Sequence, residues 1–178
     1  MNLPKVEKAI SEILDEMHVH DKELQLETPK RVAKMYKELT NGQEIDEKTI
    51  LKKTFPIKSN DIVLVKDIFF SSLCEHHLMP FFGEINIAYI PNGKIVGLSK
   101  LGRLVDILAH RLQLQERLTK QIGETIFEQL QPYGVIVTCK AQHTCMICRG
   151  VKKYGSLTTT FYKKGEISEQ QVNMLLGM

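Results

Sequence analysis

Val6, Ala9, Ile10, Ile13, Leu14 and Met17 recur at intervals of three and four residues, the spacing that lines one face of an α-helix with apolar side chains. A second helix is predicted at ETPKRVAKMYKELTNG, where Thr28 can cap the free amides, Pro29 suits a first helical turn and Gly42 can close the end. Arg31 and Lys34, three apart, would share one of its faces. From residue 61 the pattern turns β-branched and aromatic. DIVLVKDIFF and EINIAYIP predict two strands of an antiparallel pair, with LCEHH in the connection between them and PNGK as a turn. Helical spacing returns in LSKLGRLVDILAH, with Ser99 placed as its N-cap, and in LQERLTKQIGETIFEQL, which QPYG ends. GVIVTC and SLTTTFY predict two further strands around KAQHTCMICRG.

The predicted order is helix, helix, strand, strand, helix, helix, strand, strand and a short tail. It describes an α+β fold in which helices cover an antiparallel sheet. We expect one structural domain, with an N-terminal helical segment over residues 1–58 packing on an α+β unit over residues 59–178. The 178 residues suffice to bury a core without disulfide staples, and 43% apolar with 25% charged residues is ordinary globular composition. A net charge of +3 is too slight to make nucleic acid the expected partner, yet local clusters of Lys and Arg could hold a small polyanion such as a triphosphate. No run of apolar residues reaches the length of a membrane span, and the charged N-terminus does not read as a signal peptide, so a cytoplasmic location is expected. Four cysteines in such a chain read as thiols or metal ligands.

Those cysteines fall near histidines. In LCEHHLMP, Cys74 and His77 are separated by two residues, a gap that lets two side chains converge on one ion from a tight loop. HTCMIC repeats the combination with His143, Cys145 and Cys148. Two sites can be built from these residues. Cys74, His77, Cys145 and Cys148 would close a structural zinc site, whereas Cys74, His77 and Cys145 alone would leave a fourth position for water, as catalytic zinc requires. His76 and His143 would then be spare imidazoles suited to proton transfer. Lone cysteines are more often buried structural thiols, and it is the pairing of the two clusters that favours a metal. A catalytic metal would turn a bound water into a hydroxide nucleophile near neutral pH.

Positive charge is available at Lys100 and Arg103, near the start of the third predicted helix, at Arg149 after the second cluster, and at Arg31 and Lys34. Basic side chains at a helix N-terminus favour phosphate, although most of the 24 Lys and Arg must be plain solvated surface. Glu116 could simply complement a helix dipole, or its carboxylate could accept two parallel hydrogen bonds from an amidine-like edge such as that of guanine.

Taken together, ETPKRVAKMY, SLCEHHLMPFFG, AYIPNGKIVGLSKLGRLV, RLQLQERLTKQI and HTCMICRGVKK resemble the GTP cyclohydrolase I family from about Glu27 to Thr160. The resemblance implies a tunnelling fold of ββααββ order, joined edge to edge into a homodecamer with active sites shared between subunits. It implies zinc on Cys74, His77 and Cys145, with Cys148 at a position where the family has no ligand. His76 and His143 would transfer protons, with Ser99 assisting. Ser99 and Gln115 would contact substrate, Glu116 would read guanine, and Arg31, Lys34, Lys100, Arg103 and Arg149 would surround the triphosphate. The implied reaction takes GTP and water to 7,8-dihydroneopterin triphosphate and formate, by hydroxide attack on the guanine imidazole carbon, ring opening, rearrangement and reclosure. Rival readings are a related tunnelling-fold enzyme acting on another pterin or deazapurine, and a zinc-stabilised binding module. The tail EISEQQVNMLLGM lacks the Arg and Phe-Leu run associated with the family's C-terminal helix.

Overall fold

The structure, a computed structural model, describes residues 1–176 of the chain, which divides into two compact units, Met1–Asn41 and Gly42–Met178. The first unit holds α1 (Leu3–Glu16) and α2 (Lys22–Leu39). The second helix begins well before the predicted start. Asp21, not Thr28, is the N-cap, its Oδ1 accepting from the amides of Glu23 and Leu24 at 2.9 and 3.0 Å. The strong upstream cap extends the helix through Pro29, which lies inside it and removes one backbone hydrogen bond. Arg31 and Lys34 are both exposed on α2.

Gly42 does not close a helix; it lies within a short 3₁₀ segment, Asn41–Glu44. A Cβ there would lie 2.0 Å from the carbonyl oxygen of Ile107, so close backbone approach is what requires glycine. Arg111 holds the same segment, donating to the carbonyls of Gly42 and Ile45 and to the Glu47 carboxylate.

Among the described residues seven strands follow, in two sheets. β1 (Thr54–Pro56) pairs with β4 (Lys94–Val96), a small ribbon that the sequence pattern did not predict. The main sheet runs β5 (Leu112–Gln113), β2 (Val63–Cys74), β3 (Pro80–Ile90), β6 (Gly134–His143), β7 (Thr158–Gly165). All its pairings are antiparallel except β2 with β5. Between Val65 and Ile68 the register of β2 slips against β3, with Asp67 at φ 57° in the extra position and its amide held by Asn86. Such a bulge sharpens the local twist.

α3 (Leu98–Ala109) and α4 (Gln115–Leu130) connect the two halves of this sheet. The N-cap of α3 is Gly97 rather than Ser99. The Lys100 amide already bonds the Gly97 carbonyl at 2.8 Å, which leaves Ser99 exposed inside the first turn. Leu101, Leu104, Val105 and Leu108 of α3 and Leu118, Ile122, Ile126 and Leu130 of α4 are buried against Ile85, Ile87 and Tyr89 of β3 and Val135, Val137 and Cys139 of β6. Period-two alternation on the strands thus meets period-3.6 stripes on the helices. Gly123 lets α4 approach the sheet, since a Cβ there would stand 2.2 Å from the Tyr162 ring. The tail forms α6 (Glu169–Leu176), and Val172 packs against the small cluster of Ala88, Ile136 and Ile167.

Candidate metal centre and cleft

β2 ends at Cys74, and the next residues make a single tight turn in which the amides of His77 and Leu78 both bond the Cys74 carbonyl. One such turn brings positions i and i+3 to the same side, which is why Cys74 and His77 face each other with Sγ and Nδ1 3.8 Å apart. Leu78, at φ 53°, reverses the chain into β3. Beside it, β6 ends at His143 and passes into a short helical turn, α5 (Thr144–Ile147), tied to the start of β3 by Thr144 Oγ1 donating to the Pro80 carbonyl. β2 and β6, on either side of β3, therefore deliver both clusters to one end of the sheet.

The result is a three-donor group: ligand atoms of Cys74, His77 and Cys145 all lie within 4.8 Å of one another. Metal bonds of about 2.0–2.1 Å to nitrogen and 2.3 Å to sulfur give a tetrahedral edge of about 3.6 Å, close to the Cys74–His77 separation. The donor chemistry fits a transition-metal ion. Burial, and then the neighbouring Cys74 thiol, push the Cys145 thiol up in pKa. Cys148 is exposed and outside the group. Cys139 is buried in the core, its thiol pushed up to about 12 by burial, and is inert as a ligand.

A cleft of about 300 Å³ opens beside the three donors, lined also by His76, His143, Gln115, Glu116 and Thr158. His76 lines it although its ring stands at 86° to that of His77, centroids 6.1 Å apart. In the CEHH run, Glu75 is the residue that turns to another partner, the Arg117 guanidinium. His143 is held on two sides. Its ring stacks on buried Phe81, its cross-strand partner, with centroids 4.7 Å apart and planes 3° from parallel. Its Nε2 lies 2.8 Å from Gln115 Oε1.

Gln115, 1% exposed, is spent inside the protein. Its Nε2 donates to the carbonyls of Cys139 and Thr158 and to Thr160 Oγ1, at 3.0, 3.0 and 3.2 Å. These acceptors fix the amide so that its oxygen faces His143, which must therefore carry its proton on Nε2 and keep the lone pair of the neutral ring on Nδ1. Burial lowers the His143 pKa, while the Glu116 carboxylate acts in the opposite direction.

Glu116 is exposed in the first turn of α4, whose start has no side-chain cap, leaving amides directed out of the helix end. Arg149 reaches the donor group, with Nη1 3.2 Å from His77 Nε2. Ser99, Lys100 and Arg103 do not line the cleft. They start α3, whose other end meets β2 where Ser72 Oγ donates to the Ala109 carbonyl. At 1.5 Å per residue, Ser99 lies about 15 Å along the helix from that contact. The sequence reading gave no role to Glu75, Phe81, Gln113 or Arg117. Only Glu75 and Arg117 carried a signal, as charged residues inside the two motifs.

Residues 6–175 match the family described as GTP cyclohydrolase I. The chain is 51% identical over 146 residues to a GTP cyclohydrolase 1 of Clostridium perfringens, covering 82% of this chain and 79% of that one. A GTP cyclohydrolase 1 of Clostridioides difficile is 51% identical over 164 residues, covering 90% and 86%. One from Brevibacillus brevis is 48% identical over 167 residues, covering 93% and 89%.

Proposed function

Because the chain belongs to the GTP cyclohydrolase I family, we propose that it converts GTP and water to 7,8-dihydroneopterin triphosphate and formate in the cleft beside Cys74, His77 and Cys145. The observation that carries this reading is a group of three donors, not four, opening on a cleft lined by two further imidazoles and a carboxylate. A structural metal site has no use for that cleft. The same three-donor group speaks against the zinc-stabilised binding module, which needs Cys148 as a ligand.

Zinc is the ion proposed for Cys74, His77 and Cys145, where it would supply an activated water as nucleophile. The protein's own groups do the rest. His143, tethered through Nε2, has Nδ1 free to carry a proton to and from the imidazole ring of guanine, making the carbon between its nitrogens electrophilic. His76 is the second proton carrier. Glu116 accepts hydrogen bonds from the guanine N–H edge, and the uncapped amides of α4 can donate to its carbonyl. Arg149 meets the triphosphate, with Lys100 and Arg103, while Ser99 contacts the ribose side and assists proton movement. The proposal extends to Arg31 and Lys34 as phosphate contacts on the family resemblance alone.

The length of α3 between Ser99 and the donor end of the sheet supports a site completed by a second copy of the chain. Phe69 and Phe161, 66% and 63% exposed on the sheet, give such assembly an apolar surface. We therefore propose a tunnelling-fold homo-oligomer, a decamer by resemblance, located in the cytoplasm. Among the described residues no helix is long and apolar enough to cross a membrane.

Incubating purified protein with GTP should release formate together with a product that becomes fluorescent on oxidation. ATP should give neither, and Glu116→Ala should lose activity or admit other nucleoside triphosphates. Unchanged discrimination in that variant would remove the recognition role of Glu116, and absence of formate from GTP would refute the proposal.

A further inference from the structure

Glu75 lies between two proposed ligands, one residue after Cys74 and two before His77. Its amide bonds the Gln113 carbonyl at 3.1 Å, and its Oε2 lies 2.5 Å from Arg117 Nη2. That nitrogen also donates to the Leu112 carbonyl at 2.7 Å, while Arg117 Nε donates to Gln113 Oε1 at 2.9 Å. The orientation of Gln113, 1% exposed, is itself fixed, because its Nε2 donates to the Leu108 carbonyl and to Gln121 Oε1, at 2.8 and 2.9 Å. One guanidinium thus links the ligand-bearing turn to β5 and, through a buried amide, to the end of α3 and the second turn of α4.

The bland alternative is a partly exposed ion pair of little consequence, the usual result for such pairs. Three features set this one apart. The guanidinium is engaged on two of its edges by three acceptors, which a lysine cannot reproduce. The anchor behind it is buried and fully satisfied. And its target is the turn whose exact rotation decides where His76 and His77 stand relative to Cys145 and the Gln115–Glu116 end of α4.

We infer that Arg117 and Glu75 are positioning residues, a clamp that sets the metal-binding turn at its working angle against α4. The inference rests on the metal-site reading above. The clamp acts on metal affinity and turnover rather than on GTP binding, since neither residue lines the cleft.

The test compares the full-length wild-type protein with Glu75→Gln, Arg117→Lys, Arg117→Gln and the double variant Glu75→Gln/Arg117→Gln. Cobalt(II) titration is read by the visible absorption of a tetrahedral thiolate site, the melting temperature is taken on metal-free protein, and kcat and KM are measured with GTP. Partners that orient metal ligands typically change affinity or activity by about 10–100-fold. We expect cobalt affinity and kcat each to fall about tenfold in the single variants, with an altered cobalt spectrum, KM within about twofold and little change in metal-free melting. The double variant should be no worse than its worse parent, because both substitutions break one clamp. Glu75→Gln, a nearly isosteric change that keeps the packing of the side chain, keeps the test decisive if Arg117→Gln fails to fold. Wild-type cobalt affinity and spectrum in Glu75→Gln and Arg117→Lys would overturn the clamp alone. A wild-type protein that takes up no cobalt would overturn the metal-site reading, and the clamp with it.

Discussion

Replacing Gln115 with methionine keeps the length of the side chain and removes every hydrogen bond it makes. The two N–H donors now shared among Cys139 O, Thr158 O and Thr160 Oγ1 disappear, and His143 Nε2 loses its acceptor. Two buried donors lost, at about 1–2 kcal/mol each, lower stability by about 2–4 kcal/mol. At roughly 2–4 °C per kcal/mol for a chain of this size, melting should fall by about 4–16 °C. The catalytic effect is separable. A well-placed general acid contributes about 10²–10⁴-fold in rate, and His143 would keep its stack on Phe81 while losing only its in-plane tether. We therefore expect kcat to drop about 10–100-fold, short of full loss, with KM for GTP nearly unchanged because the amide is committed to protein partners. Thr160→Val is the control. It removes one acceptor of Gln115 and the hydroxyl that bonds Thr119, so it should lower melting and leave kcat intact. The assay is formate or pterin release at a temperature where both variants are folded and metal-loaded. Wild-type kcat in Gln115→Met would refute the tether. A tenfold rise in KM at constant kcat would instead put the amide on the substrate, as the family resemblance implies.

Cys145→Ala should abolish stoichiometric metal binding and activity while Cys148→Ala keeps both, as metal analysis after dialysis would show; equal loss in the two would restore the closed four-ligand site. His76→Ala and His143→Ala should retain metal and lose about 100-fold or more in kcat, 100-fold being the lower end of general acid–base contributions. Loss of metal in either would mean that a ligand had been taken for an acid or base. Gly123→Ala should destabilise by about 1–3 kcal/mol through overpacking against Tyr162, measured by urea unfolding, and an unchanged midpoint would show that the ring moves aside at no cost.

Helical stripes such as Leu101, Leu104, Val105 and Leu108, and the alternation along β3 and β6, were legible because they follow from the periods of local backbone geometry. The same holds for Cys74 and His77, whose i, i+3 spacing already places two side chains on one side of a turn. Local misreadings occurred where a competing residue set the boundary. Asp21 outbid Thr28 as a cap and carried α2 across Pro29, and Gly97 displaced Ser99.

What the chain order could not express is proximity between segments far apart in it. Cys145 joins Cys74 because β3 pairs with both β2 and β6, and Arg117 meets Glu75 because β5 returns beside β2. Gln115 reads as a polar residue at a helix start, yet folding buries it and turns it toward a histidine 28 positions away. Which residues can donate to a metal or move a proton is a property of their side-chain chemistry, present in the unfolded chain. Which of them meet, and which nitrogen of His143 is left free, is set only when the sheet and α4 close around them.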